Sequence, residues 1–340
     1  MSPLNFGLYL NNRGAIFLPD YSLDQLLDQA VEAEAIEFHS VWAGDSLLAK
    51  PRYDPIVVLT AVAARTRTIK LGTGILQIHL RNPVLLALEW AALDVVSHGR
   101  TIMGVGIGSG SPEMMDKECD VAGVPRRQRG RILEEHIEVL KLLWTETAVT
   151  YRGKFYQLDD VSAGYRPRQT PHPPIWVAAG GYNPHSPGTG PFGYHVAAEA
   201  GRYRGPFERV ARLGDGWITT QATPEEYGVA AELVDRSAAE KHGRSRGSIQ
   251  RAVSFWMNVG PDRSAARDEV KRMLESYNRL PFDDETLERF AIYGTPEDCL
   301  RRLRAYQAVG AQTALVMPGA RSQPEQMRRI AREIVPAFTG

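Results

Sequence analysis

Asp45 and Ser46 stand directly after the apolar run Val41-Trp42-Ala43-Gly44, so a carboxylate and a hydroxyl fall where a short strand would end. A carboxylate in that place can orient a ring N–H or a substrate hydroxyl. The competing structural reading is a turn cap or an arginine partner. Further on, Gly72-Thr73-Gly74-Ile75-Leu76-Gln77-Ile78-His79 carries two glycines into what should be a packed strand. That signals a bulge or a close approach of backbone to a ligand. Gln77 and His79 follow it, and His79 is the best-placed general acid/base by position, against the plainer reading of a structural histidine. The stretch from Thr101 to Gly110 ends in alternating glycines, Gly104, Gly106, Gly108 and Gly110. Ser109 and Ser111 occupy the third glycine position of the two possible G-x-G-x-x-G frames, so this is not a dinucleotide fingerprint. It reads as a strand end that lets a flat ligand touch backbone.

Other chemistries are missing. The chain has no G-x-S-x-G elbow, no H-E-x-x-H, no Walker loop and no His/Asp/Glu cluster at metal spacing. A protein without strong reagents of its own, but with a glycine-softened strand mouth, borrows chemistry from an organic cofactor. Arg126, Arg127, Arg129 and Arg131 read as a solvated face paired with Glu134 and Glu135. Glu89 and Asp94, in an apolar helix, read as structural acids with Arg65, Arg67 or Arg100 as partners.

The elements that must position these groups follow from periodicity. Strands are expected at 4–10, 39–43, 69–76, 101–107, 175–178, 216–220, 254–259 and 313–317. Between them lie helical patterns, among them 55–64, 83–96 and a long amphipathic one through Leu133, Ile137, Leu140 and Trp144. Thr223-Pro224-Glu225-Glu226 and Thr295-Pro296-Glu297-Asp298 both spell a threonine cap, a proline at the first helical position and acids in the first turn. Eight alternations without a compositional linker point to an α/β fold, a single (β/α)8 barrel over 1–340, with its site at the carboxyl ends of the strands. The connection 182–205 after the fifth strand is far longer than the usual strand-to-helix loop and reads as a lid-like insertion or an interface arm.

Forty basic residues balance forty acidic ones, which speaks against nucleic acid or an anionic membrane as partner. Cys119 and Cys299 suggest neither a disulfide framework nor a metal site, and a reducing cytoplasm is the expected setting. The first residues read as a strand, and no apolar run approaches a membrane span.

In this order, Ser40-Val-Trp-Ala-Gly-Asp-Ser46, Ile69-Lys-Leu-Gly-Thr-Gly-Ile75, Arg81-Asn-Pro-Val84, Leu93-Asp-Val-Val-Ser-His-Gly-Arg100, Gly104-Val-Gly106, Gly153-Lys-Phe-Tyr156, Pro173-Pro-Ile-Trp-Val-Ala-Ala-Gly-Gly181 and Leu213-Gly-Asp-Gly-Trp217 resemble the bacterial luciferase-like superfamily of flavin- and deazaflavin-dependent oxidoreductases. The resemblance covers nearly the whole chain and implies the same barrel, with a flavin or deazaflavin ring across the strand mouths. It implies ring contacts at Asp45, Thr73, Gly74, Ile75, Ile107, Gly108 and Ser109, with relatives often holding a non-proline cis peptide at 73–75. It places the phosphate-binding turn at Ala179, Gly180 and Gly181, with Ser186, Thr189 and Gly188–Gly190 as further candidates in the insertion. Ser46 and His79 are the candidate catalytic groups. Relatives acting as sugar-phosphate dehydrogenases present histidine where Ser46 stands and glutamate where Ser109 stands, and bacterial luciferase has arginine at Ile107. The favoured expectation is a monooxygenase using reduced FMN from a separate flavin reductase, with oxygen, on a small organic substrate. The alternatives are hydride transfer with the deazaflavin coenzyme F420, or a non-catalytic flavin-binding relative. The resemblance also implies a homodimer, for which the 83–96 helix would suit.

Overall fold

The computed structural model describes residues 3–14, 21–180 and 204–338. Eight strands, β1 (Asn5–Leu10), β2 (Ser40–Ala43), β3 (Lys70–Thr73), β4 (Thr101–Val105), β7 (Ile175–Ala178), β8 (Gly216–Thr220), β9 (Gln250–Val259) and β11 (Thr313–Pro318), all pair in parallel, and the β8–β9 pairing closes the ring. Parallel strands buried on both faces need helices outside. These are α1 (Leu23–Ala35), α2 (Pro55–Arg65), α3 (Pro83–Val96), α4 (Pro112–Val121) with α5 (Arg129–Thr145), α6 (Arg204–Leu213), α7 (Pro224–His242), α10 (Pro296–Ala308) and α11 (Gln323–Glu333). The chain is therefore the (β/α)8 barrel that its periodicity indicates. The insertion expected at 182–205 falls, but for its last two residues, outside the described residues, as do Gly181, Ser186, Thr189 and Gly188–Gly190.

Capping chemistry behaves as read: Thr223 and Thr295 each close a capping box with the acid three residues on. The third and fourth strands end earlier than expected, at Thr73 and Val105; the Gly74–Ile75 peptide beyond β3 is cis, and Leu76 forms an isolated bridge to Val105. Two features carried no readable pattern. One is the antiparallel hairpin of β5 (Val149–Arg152) and β6 (Gln157–Val161). The other is an excursion after β9, in which α8 (Arg263–Asn278), α9 (Asp284–Phe290) and β10 (Ala291–Gly294) precede α10, with β10 pairing onto the end of β9.

Several expected ion pairs are replaced. Asp94 is fully buried, but accepts from Thr101 Oγ1 at 2.6 Å and from the backbone and side-chain nitrogens of Gln169, not from an arginine. Arg100 instead donates to the carbonyls of Ser97, Ile69, Ala63 and Thr66, tying α3 to the turn between α2 and β3. Glu89 is exposed and needs no partner. Glu134 pairs with Arg209 and Arg212, and Glu135 accepts backbone N–H groups of 154–156, so neither serves the arginines at the start of α5. Arg126 pairs with Asp116. The α3 helix leaves Leu85, Val95 and Val96 exposed.

Inside the ring, Trp42 and Trp176 are both buried with centroids 5.3 Å apart, and Trp42 Nε1 donates to Ser40 Oγ at 2.8 Å. Glycines make room for them. A Cβ on Gly72 would lie 2.3 Å from Trp42 Cε3, one on Gly7 2.6 Å from Trp42 Nε1, and one on Gly216 2.4 Å from Trp176 Cδ1. Gly72→Ala should therefore overpack the plug and lower the unfolding free energy by about 1–3 kcal/mol, measured by urea denaturation; an unchanged midpoint would mean that the indole has room to move.

Candidate active site

A cavity of about 400 Å³ opens at the carboxyl ends of the strands. Asp45, Ser46, Gly74, Ile75, Ile107, Gly108, Ser109, Ala179 and Gly180 all line it, as their places at strand ends suggested. Thr73 does not: it is fully buried behind the wall and donates from Oγ1 to the Gly104 carbonyl at 2.8 Å. Side chains are absent where the wall must be thin. A Cβ on Gly106 would sit 3.1 Å from Ile75 Cγ1 and from Ala178 Cβ, and one on Gly74 2.8 Å from the Tyr9 ring. Gly108 has φ +73°, and a Cβ there would lie 2.2 Å from Gln77 Oε1. Such a cradle accepts a flat ring against backbone and fits a flavin or deazaflavin. The turn that begins at Ala179 is held from outside by Trp217, whose Nε1 donates to the Ala179 carbonyl at 2.9 Å.

Asp45 organises the wall. Its backbone N–H donates to the Ile75 carbonyl at 3.1 Å, and its carboxylate accepts from the Gln77 N–H at 2.9 Å and from both terminal nitrogens of Arg81. Both readings of this residue thus hold: it lines the mouth and it has an arginine partner. Ser46 also lines the mouth, but its hydroxyl donates to Glu118 Oε1 at 2.8 Å and accepts from Lys50 N at 2.8 Å. The same fully buried Glu118 oxygen accepts from Leu48 N and Ala49 N. Ser46 is thus part of a loop clamp, with its proton committed.

His79 is placed elsewhere. It is 1% exposed, lines a separate cavity with Ile132, Phe155 and Tyr156, and has no hydrogen-bond partner on either ring nitrogen. Burial, helped by Arg129, lowers its pKa to about 4. His136, fully buried, is lowered to about 3 by burial and by neighbouring His79 and Arg81, with Nδ1 3.2 Å from Tyr156 Oη. Both imidazoles are neutral core groups, and the expectation of His79 as acid/base at the mouth is corrected accordingly.

The residues that sequence reasoning missed come from the 44–53 loop and from the excursion after β9. Lys50, Arg52, Tyr277 and Asn278 form one wall of the cavity. Arg52 Nη2 donates to Tyr277 Oη at 3.1 Å, and Lys50 Nζ to Asn278 Oδ1 at 3.2 Å. Burial pushes the Tyr277 phenol up, but Arg52, Lys50 and Arg13 outweigh it and hold the group below the ordinary tyrosine value. Burial and the neighbouring Arg52 and Arg13 lower Lys50 to about 8, against the pull of Tyr277. The one readable signal was Gly44: a Cβ there would lie 2.2 Å from Arg52 Nη1.

The chain matches the family described as luciferase-like monooxygenase over residues 4–186 and 200–313. It is 27% identical to an F420-dependent glucose-6-phosphate dehydrogenase of Kineococcus radiotolerans, covering 92% of each chain. It is 25% identical to a 5,10-methylenetetrahydromethanopterin reductase of Archaeoglobus fulgidus, covering 95% of this chain and 98% of the other. Its fold superposes on a monooxygenase from Streptomyces bottropensis with TM-score 0.78 and 23% identity, over 99% of this chain and 100% of that one. Among the described residues no helix is long and apolar enough to cross a membrane.

The two buried histidines give a pH dependence of stability. Their folded pKa values lie below the unfolded value of 6.5, so between 6.5 and about 4 the unfolded chain binds protons that the native state does not. Stability should fall on acidification through that window by up to about 1.4 kcal/mol per pH unit for each histidine. Denaturant midpoints from pH 7 to pH 4.5 measure it, with His79→Asn expected to flatten the slope.

Proposed function

The chain belongs to the luciferase-like monooxygenase family, whose members matched here include oxidoreductases, and we propose that it is an oxidoreductase exchanging hydride between coenzyme F420 and a small organic substrate. One observation carries the choice of cofactor: the two curated relatives match over at least 92% of both chains, and one is by its name dependent on coenzyme F420. It supports the deazaflavin reading over reduced FMN with oxygen, the reading favoured from the sequence. The monooxygenase reading would also require a separate flavin reductase.

The cradle of Gly74, Gly106 and Gly108 would hold the ring against backbone, with Ile75 and Ile107 on its apolar side and Ala179 and Gly180 toward its side chain. A bound deazaflavin would supply the hydride carrier that the side chains lack. The chain itself orients and excludes water. Asp45, fixed by Arg81 and the Gln77 N–H, keeps the second and third strand ends in register, while Trp256, Phe290 and Met317 make the opposite side of the cavity apolar. Serines replace the histidine and glutamate of the sugar-phosphate dehydrogenases at 46 and 109, so a substrate proton must go elsewhere. The Tyr277 hydroxyl, facing the cavity and held by Arg52, is placed to exchange it.

Anaerobic titration of the purified protein with oxidised and reduced coenzyme F420, and separately with reduced FMN, tests the reading by absorbance and fluorescence. Selective deazaflavin binding without oxygen consumption is the expected result; selective binding of reduced FMN followed by oxygen uptake would transfer the site to monooxygenation. Gly106→Val, whose branches would press on Ile75 and Ala178, should weaken ring binding about tenfold or more and lower the unfolding free energy by about 1–3 kcal/mol, with binding measured well below the melting transition.

A further inference from the structure

The cavity mouth carries positive charge that its carboxylates do not balance. Lys50 and Arg52 line it, and Arg13, 6% exposed, stands behind them with its guanidinium carbon 4.6 Å from the Tyr277 ring centroid. Lys50 Nζ lies 5.6 Å from the same centroid. None of the three forms an ion pair with a carboxylate among the described residues. Lys50 reaches only Asn278, Arg52 reaches Tyr277 and the Lys50 carbonyl, and Arg13 Nε and Nη1 have no acceptor. Asp45, the carboxylate on this wall, is engaged by Arg81 and the Gln77 N–H.

Like charges withdrawn from water together repel, and the chain holds them there by force of its loop structure. Asn12 ties both ends of the loop, donating from Nδ2 to the Gly44 and Tyr53 carbonyls at 2.7 Å each. Glu118 ties its middle through Ser46, Leu48 and Ala49. A rigid loop that presents two unneutralised cations to a cavity is preorganised for an oxyanion.

We propose that Lys50 and Arg52 bind an anionic group of the substrate, a carboxylate or a phosphate, so that this protein acts on small oxyanion-bearing molecules. That this anion belongs to a substrate rests on the redox reading above; the anion site does not. A cofactor phosphate is the other source of the same chemistry, but the resemblance puts that at Ala179–Gly180, after β7. In the ring of eight, β7 lies four strands from β1 and three from β2, on the far side of the mouth from these cations. Burial is the main cause of the Lys50 depression, and Arg52 and Arg13 add to it a repulsion that an anion would relieve, while against burial Tyr277, Tyr9 and Asp45 hold Arg52 charged.

Calorimetric titration of the full-length protein with inorganic phosphate, and with malonate as a carboxylate probe, tests this both without a ring cofactor and at saturation with whichever one binds. Binding in both states is expected, weakened about tenfold or more by Lys50→Met and by Arg52→Met and unchanged by Lys70→Met at the other end of the barrel. Lys50→Gln repeats the test if a methionine variant loses cooperative melting. Wild-type binding should weaken as pH rises from 7 to 9, with proton uptake, as Lys50 loses its charge. Tyr277→Phe removes the other titrating group on this wall and should leave that dependence in place. Absent binding, or binding indifferent to both cation variants, overturns the site. Binding abolished by the ring cofactor assigns the cations to the cofactor's phosphate and overturns the substrate reading. Phosphate binding with no affinity for either ring cofactor keeps the anion site and overturns the redox function instead.

Discussion

The packing of Trp42 against Trp176 inside the strand ring is the constraint on which the rest of this architecture depends. A parallel barrel has no solvent inside, so its interior must be filled by side chains. Here two indoles fill the lower part, and Gly7, Gly72 and Gly216 give up their side chains to admit them. Because that volume is occupied low in the barrel, the strand ends above can stay thin. Gly74, Gly106 and Gly108 line the cavity at the carboxyl ends with bare backbone, because Tyr9, Ile75, Ala178 and Gln77 occupy the space a side chain there would need.

Around that mouth the polar groups mostly hold other polar groups. Asn12 and Glu118 each satisfy several backbone groups, and Asp45 holds the Gln77 N–H together with the Arg81 guanidinium, so each fixes a loop. A buried carboxylate accepting several N–H groups is costly to remove and therefore rigid in place. The result is a division of labour in which the chain supplies shape and charge, and a bound ring would supply the redox chemistry. The cationic wall of Lys50 and Arg52 is built by the same clamps.

The excursion of α8, α9 and β10 shows how a barrel gains a specific site. It leaves from the end of β9, which runs five residues beyond the β8 register, and returns as β10 against the last four of them. Tyr277, Asn278 and Phe290 reach the cavity on it. Tyr277 stacks edge-on against Trp256, so a residue outside the eightfold repeat is anchored to one inside it.

The sequence by itself determined the fold and half of the mouth. Alternating apolar runs and helical spacings can be satisfied together only by strands buried on both faces, and glycines at strand ends mark backbone left bare. Hence Asp45, Gly74, Ile75, Ile107 to Ser109, Ala179 and Gly180 were legible by their places alone. Ser46 and His79 were legible as positions but not as roles, because the partners that decide the role are distant in the chain: Glu118 for the serine, and a core beside His136 for the histidine. Lys50 fell inside the strand-end segment 44–50 that the barrel reading marks, but its role, and the whole of Arg52 and Tyr277, stayed unread for the same reason. A lysine and an arginine in a loop look solvated, and a tyrosine at the end of an amphipathic helix looks like core. Only the tertiary structure brings positions some 225 residues apart within one hydrogen bond, and burial and charge, which set reactivity, arise only from that meeting.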